Sequence, residues 1–314
     1  MLTVEELKDN LRQIIGPKHR HPYDEKANSH MEIVESTLVE YFKSFDWDVE
    51  LQNVKFDEFT TKWGVTHKNL DGNNIICTKQ FDNSKETMII AAHHDTVPLS
   101  PGADDNGSGL ILLMAIAKYY EVTKSEYNIM LISFDFEEIG LVGSEFFATN
   151  IRNYFPDTSK IKGIIVLETL GYYSQEQYLP KGFDVLYRKE ISKLKQDKII
   201  KGDFLTVIYN GRSKYIMSKF KKSNANLKIG YIRDPIDKPI IGKLLNKIIP
   251  SLKNLLRSDH TPFWLRDLPA VMLTDTANFR NPNYHQPSDL EETLDYDKLL
   301  DIYELLSILL NSKS

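Results

Sequence analysis

From residue 73 onward, the sequence alternates between short apolar runs and longer stretches with helical spacing, and this alternation constrains the fold more than any other feature. Apolar runs of four to eight residues bounded by loop residues are typical of buried strands, whereas apolar residues three or four apart are typical of helices. We expect strands over 75–78, 87–92, 128–134, 161–167, 204–209 and 270–274, and helices over 108–120, 142–150, 214–222 and 296–310. This order of elements predicts an α/β sheet.

The other segments are expected to extend this sheet without forming a second domain. Residues 4–15 and 26–46 have helical spacing and residues 49–56 alternate like a strand, so residues 1–70 supply N-terminal helices and a first strand. The interval 175–202 is rich in lysine, and we expect a solvated surface excursion there rather than a basic binding patch. Because no stretch is poor enough in apolar residues to be a linker, we expect a single domain over 1–314.

Composition and charge argue against several classes of partner and location. A formal net charge of −5 does not favour nucleic-acid binding, which needs a basic face. The single cysteine, Cys77, cannot form an internal disulfide, and the acidic start of the chain is unlike a signal peptide. The apolar stretch 110–117 is shorter than the roughly 20 residues that cross a bilayer. We therefore expect a cytoplasmic protein with neither a nucleic-acid nor a membrane partner.

The first cluster with chemical potential is His93-His94-Asp95, directly after the expected strand 87–92. Open α/β sheets bind ligands at the carboxyl ends of their strands. Since alternate residues of an extended segment face the same way, His93 and Asp95 can share a face. His93 is therefore a candidate metal ligand whose second ring nitrogen would donate to Asp95, although a His-x-Asp pair alone is more often a surface pair.

A second cluster places Asp104 and Asp105 in a turn of small residues that opens a helix. Helix capping accounts for Asn106 or Ser108, and it can account for Asp104. Capping does not account for two adjacent carboxylates after a histidine strand. A carboxylate that bridges two cations does, which makes Asp105 a candidate ligand.

The third cluster is Glu137-Glu138, just after the expected strand 128–134. Adjacent acids repel each other unless a cation lies between them, although a solvated pair on a loop is also common. Because neighbouring side chains diverge, one glutamate can bind a metal while the other faces the water bound to it.

Two further candidates stand where an expected strand hands over to a loop. Glu168 follows the strand 161–167, and His285 lies in the Asn-Pro-Asn-Tyr-His segment 281–285. Each has an ordinary explanation when taken singly, as a solvated strand terminus or a structural loop histidine. They become stronger candidates because the candidate metal ligands in the other clusters need further ligands to complete a site.

Taken together, six ordered motifs between about residues 88 and 290 resemble the aminopeptidase Y family of co-catalytic zinc metallopeptidases, which also includes glutaminyl cyclases. The first 70 residues and the lysine-rich interval match this family only loosely. The motifs are His93-x-Asp95, the turn that begins at Asp105, Glu137-Glu138 before Gly-Leu-Val-Gly-Ser, Leu167-Glu168-Thr169-Leu170-Gly171, Arg257-Ser258-Asp259-His260 and Tyr284-His285.

The resemblance implies a cofactor of two Zn²⁺ ions per chain. In that arrangement Asp105 bridges the ions, His93 and Glu168 complete one site, and Glu138 and His285 complete the other. Glu168 stands where better-known members carry aspartate, so its longer side chain could change the spacing of the metals.

The resemblance also implies roles for residues that do not bind metal. Glu137 is the general base, and Asp95 supports His93. Arg257 and Tyr284 contact the substrate or the tetrahedral oxyanion. If the protein is an aminopeptidase, Glu168 also binds substrate, since it and Glu137 are the carboxylates best placed to recognise the free amine.

The fold implied by this resemblance is a three-layer α/β/α sandwich with a mixed, mostly parallel sheet. The implied function is aminopeptidase activity, in which a metal-activated water attacks the N-terminal peptide bond of a peptide or aminoacyl substrate. Two alternatives remain. Glutaminyl cyclases bind one zinc and share an Asp-His-x-Pro-Phe string with residues 259–263, but they tend to carry Trp before the final histidine, where this chain has Tyr284. A non-catalytic protein on the same fold would normally lack some of the ligands.

Overall fold

The computed structural model describes residues 2–16, 19–22, 25–61, 64–196, 199–223, 226–235, 244–245 and 247–311. An eight-stranded sheet has the order β1-β2-β4-β3-β5-β10-β8-β9, and β6 and β7 form a separate two-stranded sheet. The strands are β1 (Asp48–Thr60), β2 (Thr66–Lys79), β3 (Thr87–His93), β4 (Asn128–Phe134), β5 (Ile161–Glu168), β6 (Lys195–Gln196), β7 (Ile199–Ile200), β8 (Leu205–Tyr209), β9 (Ile229–Arg233) and β10 (Ala270–Thr274). The helices are α1 (Val4–Ile14), α2 (Glu25–Ser44), α3 (Ser108–Val122), α4 (Val142–Thr149), α5 (Phe183–Leu186), α6 (Arg188–Leu194), α7 (Lys214–Lys222), α8 (His260–Leu265) and α9 (Tyr296–Asn311).

The centre of the large sheet is parallel, with β4, β3, β5 and β10 running side by side. β2 joins β4 antiparallel, and β8 joins β10 antiparallel, so the sheet is mixed. All seven residues of β4 are buried, as expected for a strand with both faces covered. The predicted α/β class with a mixed, mostly parallel sheet is confirmed.

Apolar side chains that alternate along the central strands pack against helices on both faces of the sheet. Ile90 and Ala92 of β3 join a core with α1, α2, α3, α7 and α9. Ile89 and Ala91 join a second core with α4, α5, α6 and α8. The result is three layers, with the sheet in the middle. None of the described helices is long and apolar enough to cross a bilayer.

The predicted elements of the core appear within a few residues of their expected bounds. β1 and β2 extend further than expected and form a long antiparallel hairpin. β9 and α8 were not predicted, because each is short and carries no clear period.

The lysine-rich interval differs in part from a solvated excursion. Lys181, Lys189 and Lys193 are exposed, but Phe183 and Ile191 are buried in the core that contains α4 and α8. The interval therefore folds into α5, α6 and the β6–β7 pair and covers one face of the sheet. Because lysines are so frequent in this interval, the apolar residues that make this packing possible were not predicted to be buried.

The parallel strands deliver the candidate site residues to one edge of the sheet. His93 at the end of β3 lies in register with Phe134 at the end of β4, and Glu168 at the end of β5 lies in register with Thr274 of β10. The loops that leave these strand ends therefore lie close together, at the edge where open α/β sheets bind ligands.

Candidate metal centre

One group of possible metal ligands consists of His93, Asp105 and Glu168, all of which are buried. His93 Nε2 lies 3.3 Å from Asp105 Oδ1 and 3.6 Å from Glu168 Oε2. Ser258 Oγ donates a 2.7 Å hydrogen bond to Glu168 Oε2 and fixes that carboxylate. The glutamate that departs from the family pattern therefore still reaches the other ligands of its group.

A second group consists of Asp105, Glu138 and His285, so Asp105 belongs to both. His285 Nε2 lies 3.1 Å from Asp105 Oδ2 and 3.3 Å from Glu138 Oε2. Each oxygen of the Asp105 carboxylate thus faces a different histidine. This is the arrangement expected of a carboxylate that bridges two cations.

Several buried polar atoms of these groups lack hydrogen bonds within the described part of the chain. They are His93 Nε2, His285 Nε2, Asp105 Oδ2 and Glu138 Oε1. Buried polar atoms are nearly always hydrogen-bonded, so their convergence without hydrogen bonds fits bound cations. Imidazole nitrogen with carboxylate oxygen is also a donor set that suits zinc.

Burial and neighbouring charges shift the pKa values of the candidate ligands. Burial opposes ionisation of Asp105, yet His285 and His93 hold the pKa of its carboxyl below the usual range. Burial and the adjacent Asp105 raise the pKa of Glu138 to about 7. Although burial works against it, the adjacent carboxylates of Asp105 and Glu138 raise the pKa of His285 to about 10.

Asp95 positions the loop after β4. Its two carboxylate oxygens accept the backbone N–H groups of Glu137 and Glu138, each at 3.0 Å. Phe136, just before them, has a left-handed φ of 59°, a conformation found at functional turns. His93 Nδ1 lies nearer the Asp95 carbonyl, at 3.1 Å, than its carboxylate, at 3.5 Å. Asp95 therefore orients His93 partly through its backbone, a detail that differs from the expected carboxylate contact.

Glu137 is buried beside the two groups but belongs to neither. Burial, together with the nearby Glu168 and Glu138, raises the pKa of its carboxyl well above the usual range. Glu138 thus belongs to a group of candidate ligands, whereas Glu137 lies outside both groups.

The family model for Peptidase family M28 matches residues 74–309. This chain belongs to that family. The matched region begins within β2 and ends within α9, and it contains all five candidate ligands.

Two curated relatives match different lengths of this chain. YfbL of Escherichia coli, an uncharacterised protein, is 29% identical over 235 residues, which cover 72% of this chain and 67% of that protein. Aminopeptidase YwaD of Bacillus subtilis is 38% identical over 85 residues, which cover 26% of this chain and 19% of that protein. The chain thus matches about a fifth of the length of that aminopeptidase.

Solved structures share the fold at low identity. BSAP, a zinc aminopeptidase from Bacillus subtilis, has a TM-score of 0.70 at 14% identity, covering 98% of this chain and 95% of that one. A glutaminyl cyclase from Porphyromonas gingivalis has a TM-score of 0.63 at 18% identity, covering 98% and 97%. The same fold therefore supports both hydrolysis and cyclisation, and the fold alone does not distinguish them.

Arg257 and Tyr284 meet at the rim of the site. Arg257 Nη2 donates to Tyr284 Oη at 3.3 Å, and its guanidinium lies 5.9 Å from the centre of the Tyr284 ring. The Tyr284 ring stacks on the His285 ring, with centroids 3.8 Å apart. The structure therefore brings both predicted substrate-contacting residues next to a candidate ligand.

An apolar cavity of about 890 Å³, counting its open mouth, adjoins the metal centre. Glu168, Arg257 and Tyr284 form its polar end. The rest of the lining is mostly apolar and includes Phe183, Ile191, Leu194, Ile208, Ile232 and Met272. Three of these residues come from the lysine-rich interval, whose contribution to the site was not predicted.

The sequence analysis did not identify two residues that position the Asp105 turn. Asp289 accepts the backbone N–H groups of Asp104 and Asp105 at 2.9 and 3.1 Å. Arg20 is fully buried and donates to the carbonyl oxygens of His94, Pro101 and Gly102 at 2.7, 2.7 and 3.1 Å. Both tie the Asp105 turn to distant segments, and neither has a local sequence signal.

Asp104 has a structural role instead of a ligand role. Its carboxylate accepts the Gly171 N–H and the Asn281 side-chain amide, both at 2.7 Å. Asn106 donates to the Leu167 carbonyl at 2.8 Å. These contacts fasten the turn to the end of β5, which is more than the local capping that the sequence suggested.

Proposed function

We propose that this protein is a zinc-dependent aminopeptidase that hydrolyses the N-terminal bond of peptides. One observation carries the proposal: two groups of buried ligands share Asp105, and a further buried carboxyl, Glu137, stands beside them outside both groups. Membership of peptidase family M28 supports the class of reaction.

Two zinc ions would be held by His93, Asp105 and Glu168 on one side and by Asp105, Glu138 and His285 on the other. When bound, such a pair lowers the pKa of a coordinated water and polarises the scissile carbonyl. A chain that bound a single zinc would leave one of the two groups without its cation.

Glu137 is the proposed general base. Its buried carboxyl stands beside both ligand groups without belonging to either, so it would accept the proton of the attacking water and pass that proton to the leaving amine. Asp95 holds the Glu137 backbone and so sets the direction of the carboxyl.

The proposed oxyanion contacts are Tyr284 and Arg257. The Arg257–Tyr284 hydrogen bond places a cation and a phenol together at the polar end of the cavity, where a developing negative charge would be stabilised. Burial raises the pKa of Tyr284 well above its usual range, so its hydroxyl keeps the proton that it would donate.

The substrate's free amine and first side chain are proposed to occupy the same end of the site. Glu137 and Glu168 offer carboxylates to the ammonium group, and the adjoining cavity accepts a large apolar side chain such as leucine, phenylalanine or methionine. A cationic side chain would be desolvated among apolar walls and should bind poorly.

A panel of matched substrates tests the proposal. The zinc-loaded protein is assayed for kcat/KM on leucyl, phenylalanyl, lysyl and glutaminyl peptides, each with a free and an acetylated N-terminus. We expect the apolar free-amine peptides to be fastest and acetylation to abolish most turnover, because acetylation removes the positive charge. Ring closure of the glutaminyl peptide without hydrolysis would instead establish the cyclase activity.

A further inference from the structure

A second histidine, His94, lies next to the metal centre in sequence but faces other partners. Alternate residues of an extended chain point to opposite sides, so His94 turns away from His93. Its ring is fully buried, with Nδ1 2.9 Å from Ser133 Oγ. Its Nε2 has no hydrogen-bond partner among the residues that the structure describes.

Two carboxylates face this unpartnered nitrogen. His94 Nε2 lies 4.0 Å from Glu35 Oε1 and 3.9 Å from Asp135 Oδ1, too far for hydrogen bonds in either tautomer. The ligand atoms of the three residues lie within 4.8 Å of one another. A cation between them would satisfy the imidazole and offset the repulsion of the carboxylates. Small movements of the two carboxylates toward His94 would bring the ligand atoms to the separations of roughly 3.3 Å that a tetrahedral ion requires.

The surrounding residues hold this arrangement in place. Asn73 Nδ2 donates to Glu35 Oε2 at 3.1 Å, which leaves Oε1 facing His94. A Cβ atom at Gly72 would lie 2.1 Å from Asp135 Oδ2, so the glycine gives that carboxylate its space. A cleft lined by Glu32, Glu35, Asp71 and Asp135 reaches the cluster and could supply water ligands.

We propose that Glu35, His94 and Asp135 bind a third divalent cation, separate from the co-catalytic pair. One imidazole and two carboxylates suit zinc or manganese better than calcium, which prefers oxygen ligands alone. The ion joins α2, which carries Glu35, to the ends of β3 and β4. It therefore fastens α2 to the sheet beneath the metal centre.

Metal content tests the site through a difference between variants. Wild type, Glu35→Gln and the control Glu32→Gln are stripped with chelator, equilibrated with zinc, passed through a desalting column and analysed by elemental mass spectrometry. Glu32 lies on the same helix and lines the same cleft but is not in the cluster. We expect Glu35→Gln to hold one equivalent fewer than both other proteins, whatever number the co-catalytic centre holds. Equal content in all three would overturn the proposal.

A second measurement does not depend on how the variant folds. Anomalous scattering from zinc-loaded wild-type crystals should show a peak bonded to His94 Nε2, distinct from any peak at His93 or His285. Its absence at full occupancy of the co-catalytic centre would overturn the site. Because Glu35 has no part in the proposed reaction, Glu35→Gln should keep the wild-type kcat/KM, so a failed aminopeptidase assay of wild type would concern the proposed function alone.

Discussion

The carboxylate of Asp95 accepts the backbone N–H of Glu138 at 3.0 Å and thereby joins the end of β3 to the loop after β4. The same carboxylate holds the N–H of Glu137. One fully buried side chain thus sets the positions of the proposed base and of a proposed ligand, although it belongs to neither group of ligands.

Asp95→Asn should weaken both zinc binding and catalysis. An asparagine amide can accept only one of the two N–H groups and presents its own N–H₂ to the other, so the loop must shift. Replacing such supporting residues typically costs about 10- to 100-fold in metal affinity or activity. Zinc affinity by competition with a fluorescent chelator and kcat/KM are measured together; unchanged values for both would show that the backbone alone fixes the loop.

Glu137→Gln should abolish turnover with little change in metal content. Glutamine has a similar shape but cannot accept the proton, and loss of a general base commonly costs on the order of 10² to 10⁴ in rate. The measurement pairs kcat with elemental analysis, and Glu138→Gln serves as the comparison because it should lose metal. If Glu137→Gln were the variant that lost zinc, the two roles would be reversed.

Zinc uptake should release protons, and zinc affinity should rise with pH. The pKa of His285 is raised to about 10 and that of Glu138 to about 7, so near pH 7 His285 carries a proton and Glu138 is partly protonated, and zinc must displace these protons. Affinity therefore increases as the pH rises from below 7 toward 10. Calorimetry in buffers of different ionisation enthalpy counts the released protons, and a heat independent of buffer would contradict the linkage.

Arg20→Gln should destabilise the fold strongly. The buried guanidinium donates to three carbonyl oxygens, and burial lowers its pKa only to about 10, so it stays charged at neutral pH. Glutamine is shorter and has only two N–H donors, so at least one buried carbonyl loses its donor and the guanidinium charge is lost, which should cost about 3 kcal/mol or more in the free energy of unfolding. Urea denaturation measures the loss.

The matched control for this variant is Arg12→Gln. Arg12 pairs with Glu291 on the surface, where solvent screens the interaction, so its replacement should leave the urea midpoint close to wild type. Similar midpoints for the two variants would mean that burial of Arg20 contributes little.

Three candidate ligands could be read from the sequence because each follows a strongly periodic strand. His93, Glu138 and Glu168 follow the apolar runs of β3, β4 and β5, and parallel strands bring their carboxyl ends to one edge of a sheet. Asp105 and His285 lie in loops without any period, so their residue types made them candidates and the resemblance to a family then implied their roles as ligands. The proposed metal roles, the single domain and the cytoplasmic location stay predictions.

Only the tertiary structure assigned the residues that support the site. Asp289 lies 184 residues from Asp105 along the chain, and Arg20 lies 74 residues from His94. Glu35 on α2 likewise approaches His94 only after that helix packs on the sheet. The lysine-rich interval shows the same limit, since Phe183 and Ile191 become cavity walls only through contact with the sheet.

The physical reason is the range of the interactions involved. Strand and helix periods are imposed by local backbone geometry and by burial of one face, so a short window of sequence records them. A buried hydrogen bond between distant segments cannot be predicted from the sequence of either segment. Any suitable donor and acceptor satisfy it once the chain has brought them together. The sequence therefore determined the sheet and the candidate ligands at its edge, whereas the packing of distant segments decided what holds those side chains in place.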